Sequence, residues 1–262
     1  MRFLITLTAA SSVALLVSSS ASAATITQWN FQNIGTIGTG FLTNSPAAST
    51  GTGTAIVLGM DNTFNTNPSQ AAADVLNDSV APSDVSNPNR SWRIRGGAVP
   101  VGGAASNGWS SFAPEKSQGA QFNASTAGFE NITVSVDLQT TNQGVRNWAF
   151  QYTLNGTTWT DFGAIGTSTG GDAWNVISRD LTSIPAVNDN ASFGVRVVSA
   201  FDPTTGTYRN AANTGGLTNT SGNWRYDFVT ISGTAIPEPA SLGLIAASGL
   251  LALRRRRGGK LA

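Results

Sequence analysis

The chain has 262 residues, room for one large β domain or two small ones, and it contains neither Cys nor His. Disulfide scaffolds, thiol nucleophiles, Cys/His zinc sites and any Ser-His-Asp triad are therefore excluded. The net charge of +1 hides an asymmetry: residues 24–236 carry nine basic and thirteen acidic side chains with a single lysine, Lys116, a balance that offers nucleic acid no grip.

At the N-terminus Arg2, an apolar run from Phe3 to Val17 and the small residues Ala21-Ser22-Ala23 form the pattern of a secretory signal peptide over 1–23. Ala21 and Ala23 are the positions a signal peptidase reads, with cleavage before Ala24. The run is short for a membrane span.

Beyond that point no convincing amphipathic helix is predicted, and apolar residues alternate. The first candidate strands are 26–31 and 54–58. Residues 60–90, scattered with Asn and Pro, are expected to form long loops with a short helix at 70–77. Further strands are expected at 91–95 and 120–123. In 132–138 every even position is apolar and every odd one polar, the period of a half-buried strand. Trp148, Phe150, Tyr152 and Leu154 continue it, and Asn155-Gly156 then turns the chain into 158–162 as a β-hairpin. Strands at 175–181, 192–200 and 223–232 complete eight to ten. The expected fold is all-β: one antiparallel β-sandwich domain over 24–236, jelly-roll-like, with long loops where a ligand would bind.

Strand alternation places Asp137, Gln151, Arg196, Arg225 and Asp227 on outward faces. If their strands are neighbours, one sheet face carries all five. Planar polar groups beside aromatic rings hold sugars, the polar groups taking hydroxyls and the ring stacking on a C–H face. The alternative is a solvated face whose ion pairs contribute little. Among the seven tryptophans Trp148 and Trp224 fit the core. Trp92, Trp109, Trp159 and Trp174 stand near turns or glycines, where a ring can be presented to solvent, although burial is the commoner fate. Trp92 and Trp109 join the five polar residues as candidate ligand contacts.

Catalytic signals are weak and no catalytic residue is nominated. Glu115 and Glu130 are the only glutamates in 24–236, and nothing in their spacing pairs them across a cleft as a glycosidase needs. Lys116 lies among Ser110, Ser111 and Ser117 without further support for a dyad. Asp202-Pro203-Thr204-Thr205-Gly206 and Asn188-Asp189-Asn190 offer oxygens for a structural Ca²⁺, without the spacing of an EF-hand loop, and turn caps explain them equally well. No other cofactor is expected.

At the C-terminus Pro237, Glu238 and Pro239 precede an apolar stretch, 240–253, and then Arg254, Arg255, Arg256 and Arg257. As a helix the stretch would reach only about 21 Å against a hydrocarbon core of about 30 Å. The basic cluster would stay on the cytoplasmic side, so the body would be exported and held at the membrane by its tail. Residues 237–262 resemble the PEP-CTERM sorting tails of Gram-negative bacteria. The resemblance implies recognition by an exosortase, cleavage near Pro237-Glu238-Pro239, and release from a transient inner-membrane anchor to the cell surface or extracellular matrix. The body is similar in texture to the galactose-binding-like jelly-roll ectodomains found with such tails, in Ser91-Trp92-Arg93-Ile94-Arg95-Gly96, Phe193-Gly194-Val195-Arg196-Val197-Val198, Phe201-Asp202-Pro203 and Trp224-Arg225-Tyr226-Asp227-Phe228-Val229.

Together these readings describe a non-enzymatic surface protein that binds or organises extracellular polysaccharide in a biofilm matrix. Its expected partners are signal peptidase, exosortase and polysaccharide, not nucleic acid. A purely structural matrix protein and a glycan-acting hydrolase are the alternatives.

Overall fold

The structure, a computed structural model, describes residues 22–32, 41–42, 45–59, 73–77, 81–86, 90–94, 109–217 and 222–237. The expectations for Ala21, Glu238, Pro239, the apolar stretch 240–253 and the four arginines lie outside these residues.

Two antiparallel sheets pack face to face. The first runs β11 (Ala173–Asp180), β7 (Phe129–Thr140), β13 (Trp224–Ala235), β5 (Arg90–Ile94), β4 (Ala73–Asn77) and β2 (Phe41–Leu42), with β1 (Ala23–Trp29) also paired to β13. The second runs β10 (Gly166–Thr167), β8 (Asn147–Thr153), β12 (Gly194–Ala200), β6 (Gly119–Asn123) and β3 (Thr54–Leu58), with β9 (Trp159–Asp161) also paired to β8. From β6 to β13 the chain crosses repeatedly between sheets, pausing in the second for the run β8 to β10. Such crossing is the jelly-roll habit and confirms the all-β sandwich expected from alternation.

β13 organises the first sheet. β7 lines one of its sides from end to end, so β5 and β1 must share the other: β5 takes Trp224–Tyr226 and β1 takes Val229–Thr234. The handover falls at a bulge, where the register shifts after Asp227 and Phe228 adopts a positive φ of 44°.

Between the sheets, the even residues Ile132, Val134, Val136 and Leu138 of β7 meet Phe122, Phe150, Val195 and Val197, all buried. Aromatic rings tie the layers together: Trp29 and Phe122 have centroids 5.2 Å apart and Trp92 and Phe122 6.0 Å, while Trp109, outside both sheets, packs on Trp224 at 4.5 Å. Two polar tips find partners inside, whereas the buried indole N–H groups of Trp29 and Trp109 have none among the described residues. Trp224 Nε1 donates to Val145 O at 2.8 Å, and Tyr226 Oη donates across the sandwich to Val197 O at 3.0 Å. Complete burial holds the Tyr226 phenol well above its usual pKa.

Two expectations are corrected. Residues 73–77, inside the segment expected to be a short helix, form strand β4, paired with β5 from Ala73↔Ile94 to Asn77↔Arg90; ladder pairing overrides a weak local preference. Trp92 and Trp109 are fully buried, 0% exposed, and present no ring to a ligand. Their large apolar area is worth more in the core than near a turn.

Candidate functional site

The five outward-facing polar residues do not share a face. Asp137, Arg225 and Asp227 lie on the outer side of the first sheet, whereas Gln151 and Arg196 lie on the outer side of the second. Alternation along a strand assigns a residue to a face, but only strand pairing says whose face it is.

On the first sheet segment 81–86 folds over Asp137. Ser83 N donates to Oδ2 at 2.7 Å and Ser83 Oγ to Oδ1 at 2.9 Å, leaving the carboxylate 0% exposed. Burial raises its pKa, the two Ser83 bonds oppose the rise, and the nearby charge of Asp84 adds to it. Asp227 faces Asp137 in register, is equally buried, and accepts from Phe228 N at 2.7 Å, where the bulge begins. Arg225 Nε donates to Asn223 Oδ1 at 3.2 Å. Asp137 and Asp227 thus brace a loop and a bulge, and neither carboxylate reaches the surface.

The second sheet is different. Pairing aligns Ile56, Gln121, Arg196, Gln151 and Asp161 in one outward row across β3, β6, β12, β8 and β9. The next outward row toward the β12 N-terminus is Thr54, Asn123, Gly194, Thr153 and Trp159. Within the first row the side chains are chained together. Arg196 Nε donates to Gln151 Oε1 at 2.5 Å, and Gln151 Nε2 donates to Asp161 Oδ1 at 2.6 Å. Lys116 Nζ closes the chain on Asp161 Oδ2 at 2.7 Å.

Lys116 reaches this position because its own N–H donates to Ser199 O at 2.8 Å from a left-handed backbone, φ 62°, which pins the preceding loop to β12. For Asp161, partial burial raises the pKa, but hydrogen bonds from Lys116 and Gln151 and the charges of Lys116 and Arg196 outweigh it and bring it below the usual carboxylate value.

The Arg196 guanidinium lies 4.5 Å from the Trp159 ring centroid. Burial lowers its pKa, and the Asp161 charge opposes the change. Arg196 and Trp159 are both half-buried, and among the described residues nothing accepts a hydrogen bond from the two terminal nitrogens of Arg196. The result is a fixed cation stacked on an indole, flanked by a carboxylate, an ammonium and amides. It can give hydrogen bonds to hydroxyls or carboxylates and offer a partly exposed aromatic surface.

Trp159, Lys116 and Asp161 were not among the expected contacts. Trp159 carried a signal, its place just after the Asn155-Gly156 turn; Lys116 and Asp161 are distant in sequence and had none.

The remaining candidates are separated or already engaged. Glu115 Oε1 accepts from Phe201 N at 3.0 Å beyond the end of β12, while Glu130 faces Thr234 beside the end of β13, at the opposite end of the sandwich. No pair forms across a cleft. Lys116 points to Asp161 rather than to a serine, and Ser117 Oγ donates to Pro114 O. Asp202 Oδ1 caps Thr204 N and Thr205 N, and Asp189 Oδ1 accepts from Gly128 N. The Asp202 oxygen serves its own turn and the Asp189 oxygen ties two loops together, and no group of three or more carboxylates gathers for a metal among the described residues.

The PEP-CTERM protein-sorting motif matches residues 235–257, so the chain carries the tail that the Pro-Glu-Pro, apolar and arginine segments resemble. The motif marks it for exosortase-dependent export and sorting to the cell surface. No curated protein matches the sequence. Similar solved structures include the CBM22-1 and GH10 modules of an endo-1,4-β-D-xylanase from Clostridium thermocellum complexed with xylohexaose, 13% identical over 63% of this chain and 25% of that one, with a TM-score of 0.35. A CBM22-1 xylan-binding domain from Paenibacillus barcinonensis is 9% identical over 63% of this chain and 82% of its own, also with a TM-score of 0.35. The chain spans about a quarter of the length of the first.

Proposed function

We propose that this exported protein binds surface or matrix polysaccharide, without catalysing its conversion, through the outer face of the second sheet. Signal peptidase removes residues 1–23, the tail holds the body at the inner membrane, and exosortase releases it near Pro237.

The observation that carries the binding reading is the Arg196–Trp159 stack, held by the chain Arg196–Gln151–Asp161–Lys116. A guanidinium locked by its Nε keeps both terminal nitrogens for a ligand and loses little side-chain freedom when one arrives. The half-exposed indole beside it supplies the apolar ring surface that C–H groups of a sugar seek. The charges nearly balance, which suits a hydroxyl-rich ligand better than a polyanion.

The test is a glycan array probed with the protein, followed by calorimetry on the best hit. Trp159→Ala is expected to weaken binding at least about ten-fold, equivalent to about 1.4 kcal/mol, with an unchanged melting temperature. Saturable binding that survives both Trp159→Ala and Arg196→Met would move the site elsewhere. The absence of any saturable binding would favour a structural matrix role.

A further inference from the structure

An open cleft of about 420 Å³ lies at the end of the second sheet, lined by Thr52, Thr54, Asn123, Ser125, Asn155 and Ser192 with Phe193 behind them. No charged residue lines it. Thr54 and Asn123 also belong to the outward row that ends in Trp159, so cleft and candidate site share a wall.

The side chains between them form a continuous polar path. Asn123 Nδ2 donates to Thr54 Oγ1 at 3.2 Å, and its Oδ1 accepts from Gln121 Nε2 at 3.0 Å. Gln121 in turn faces Arg196 in register. The amide of Asn123 can lie flat across β12 because position 194 is glycine: a side chain there would collide with Asn123 Oδ1. Beneath the cleft Gly53 serves similarly, since its Cβ would stand 2.7 Å from the buried Trp29 ring. Measured across the strands from β9 to β3, four spacings of about 4.8 Å make a track of about 19 Å, longer than one sugar ring.

The walls are fixed in advance. Asn155 Oδ1 accepts from Thr157 N and Thr158 N at 3.0 and 2.8 Å, shaping the β8–β9 turn. Asn190 Nδ2 donates to Leu154 O at 3.2 Å, tying that turn to the loop before β12. A preformed cleft of this volume, without charge and with hydroxyls and amides set among Ala124, Ala191 and Phe193, suits a neutral sugar ring, which offers both hydroxyl and C–H faces, rather than an ionised group.

We propose that this cleft is a second sugar subsite, and that the protein takes a linear oligosaccharide that lies against Trp159 and Arg196 and seats a neutral residue over Asn123. The proposal rests on the polysaccharide-binding reading above. Longer chains should therefore bind more tightly than disaccharides, because only they fill both positions.

The test uses the full chain in mild detergent and calorimetry with di- and hexasaccharides of glucose, xylose and mannose, together with glucuronate-containing hexasaccharides. Ser192→Trp and Ala191→Trp, both at exposed positions lining the cleft, fill it from two points so that a folding defect in one leaves the other informative. Either is expected to weaken hexasaccharide binding at least ten-fold while leaving disaccharide affinity within two-fold. Hexasaccharide binding that is lost in Trp159→Ala but unchanged in both cleft-filling variants would overturn the subsite and leave the proposed function standing. If no saccharide binds the unmodified chain, both fail. A preference for the glucuronate chains that the cleft-filling variants abolish would overturn the neutral character assigned to the cleft.

Discussion

Trp92 and Trp159 are the same residue type near similar turn signals, yet the fold buries one completely and leaves the other half-buried on the outer face of the second sheet. Trp92 fills the core against Phe31, Phe122 and Tyr226, so Trp92→Ala should cost about 3–5 kcal/mol of stability, read from chemical denaturation. Trp159→Ala should leave stability unchanged and, on the proposed reading, act on binding instead. Asp137 gives a pH test. Its pKa in the folded protein lies above the ordinary value of 3.8, so the native state holds the proton more tightly than the unfolded chain. The destabilisation from its buried charge is absent below about pH 3.8 and grows as pH rises through the elevated folded value. Asp137→Asn keeps the shape without the charge: its Oδ1 can accept from Ser83 N and its Nδ2 donate to Ser83 Oγ. The variant's melting temperature relative to the parent should accordingly improve from pH 4 to pH 7, and a difference independent of pH would show that the charge is not what matters. Neither the burial of Asp137 nor the exposure of Trp159 follows from the residues beside them in sequence.

The elements themselves were largely legible. β3 spans 54–58 as expected, β7 and β8 follow the alternating runs, and the Asn155-Gly156 hairpin forms with Gly156 at φ +77°. No atom lies within 4 Å of a Cβ there, so Gly156→Ala should cost only the left-handed backbone term, about 1–2 kcal/mol, measured as a shift in denaturation midpoint with unchanged slope. A larger loss would mean that the turn carries more of the fold than its contacts suggest. β2, β4 and β10 were missed for a physical reason. Two residues, as in β2 and β10, hold no period, and β4 belongs to a segment whose strand state is conferred by the β5 ladder. The Tyr226 hydroxyl was also invisible as a link between the layers, because its acceptor, Val197 O, is on a strand of the other sheet.

At the scale of the molecule, the end of the folded body is tied in firmly. β13 is an interior strand paired on both sides, and Ile236 N still donates to Gly128 O at 2.8 Å, just before Pro237. A chain stopped after Pro237 should therefore melt within about 2 °C of the full chain, whereas one stopped before Thr230 loses the second half of β13 and should not fold. Intact-mass measurement on protein recovered from the native host's medium should find an end between residues 237 and 239; a retained tail would contradict release. Composition, period and end signals were sufficient by themselves for export, the sorting tail and an all-β sandwich, because each is written in contiguous residues. Only the tertiary structure decided which polar residues meet. It separated Asp137, Arg225 and Asp227 from Gln151 and Arg196, and brought Lys116, Asp161 and Trp159 to Arg196, because a shared face is created by hydrogen bonds between strands far apart along the chain.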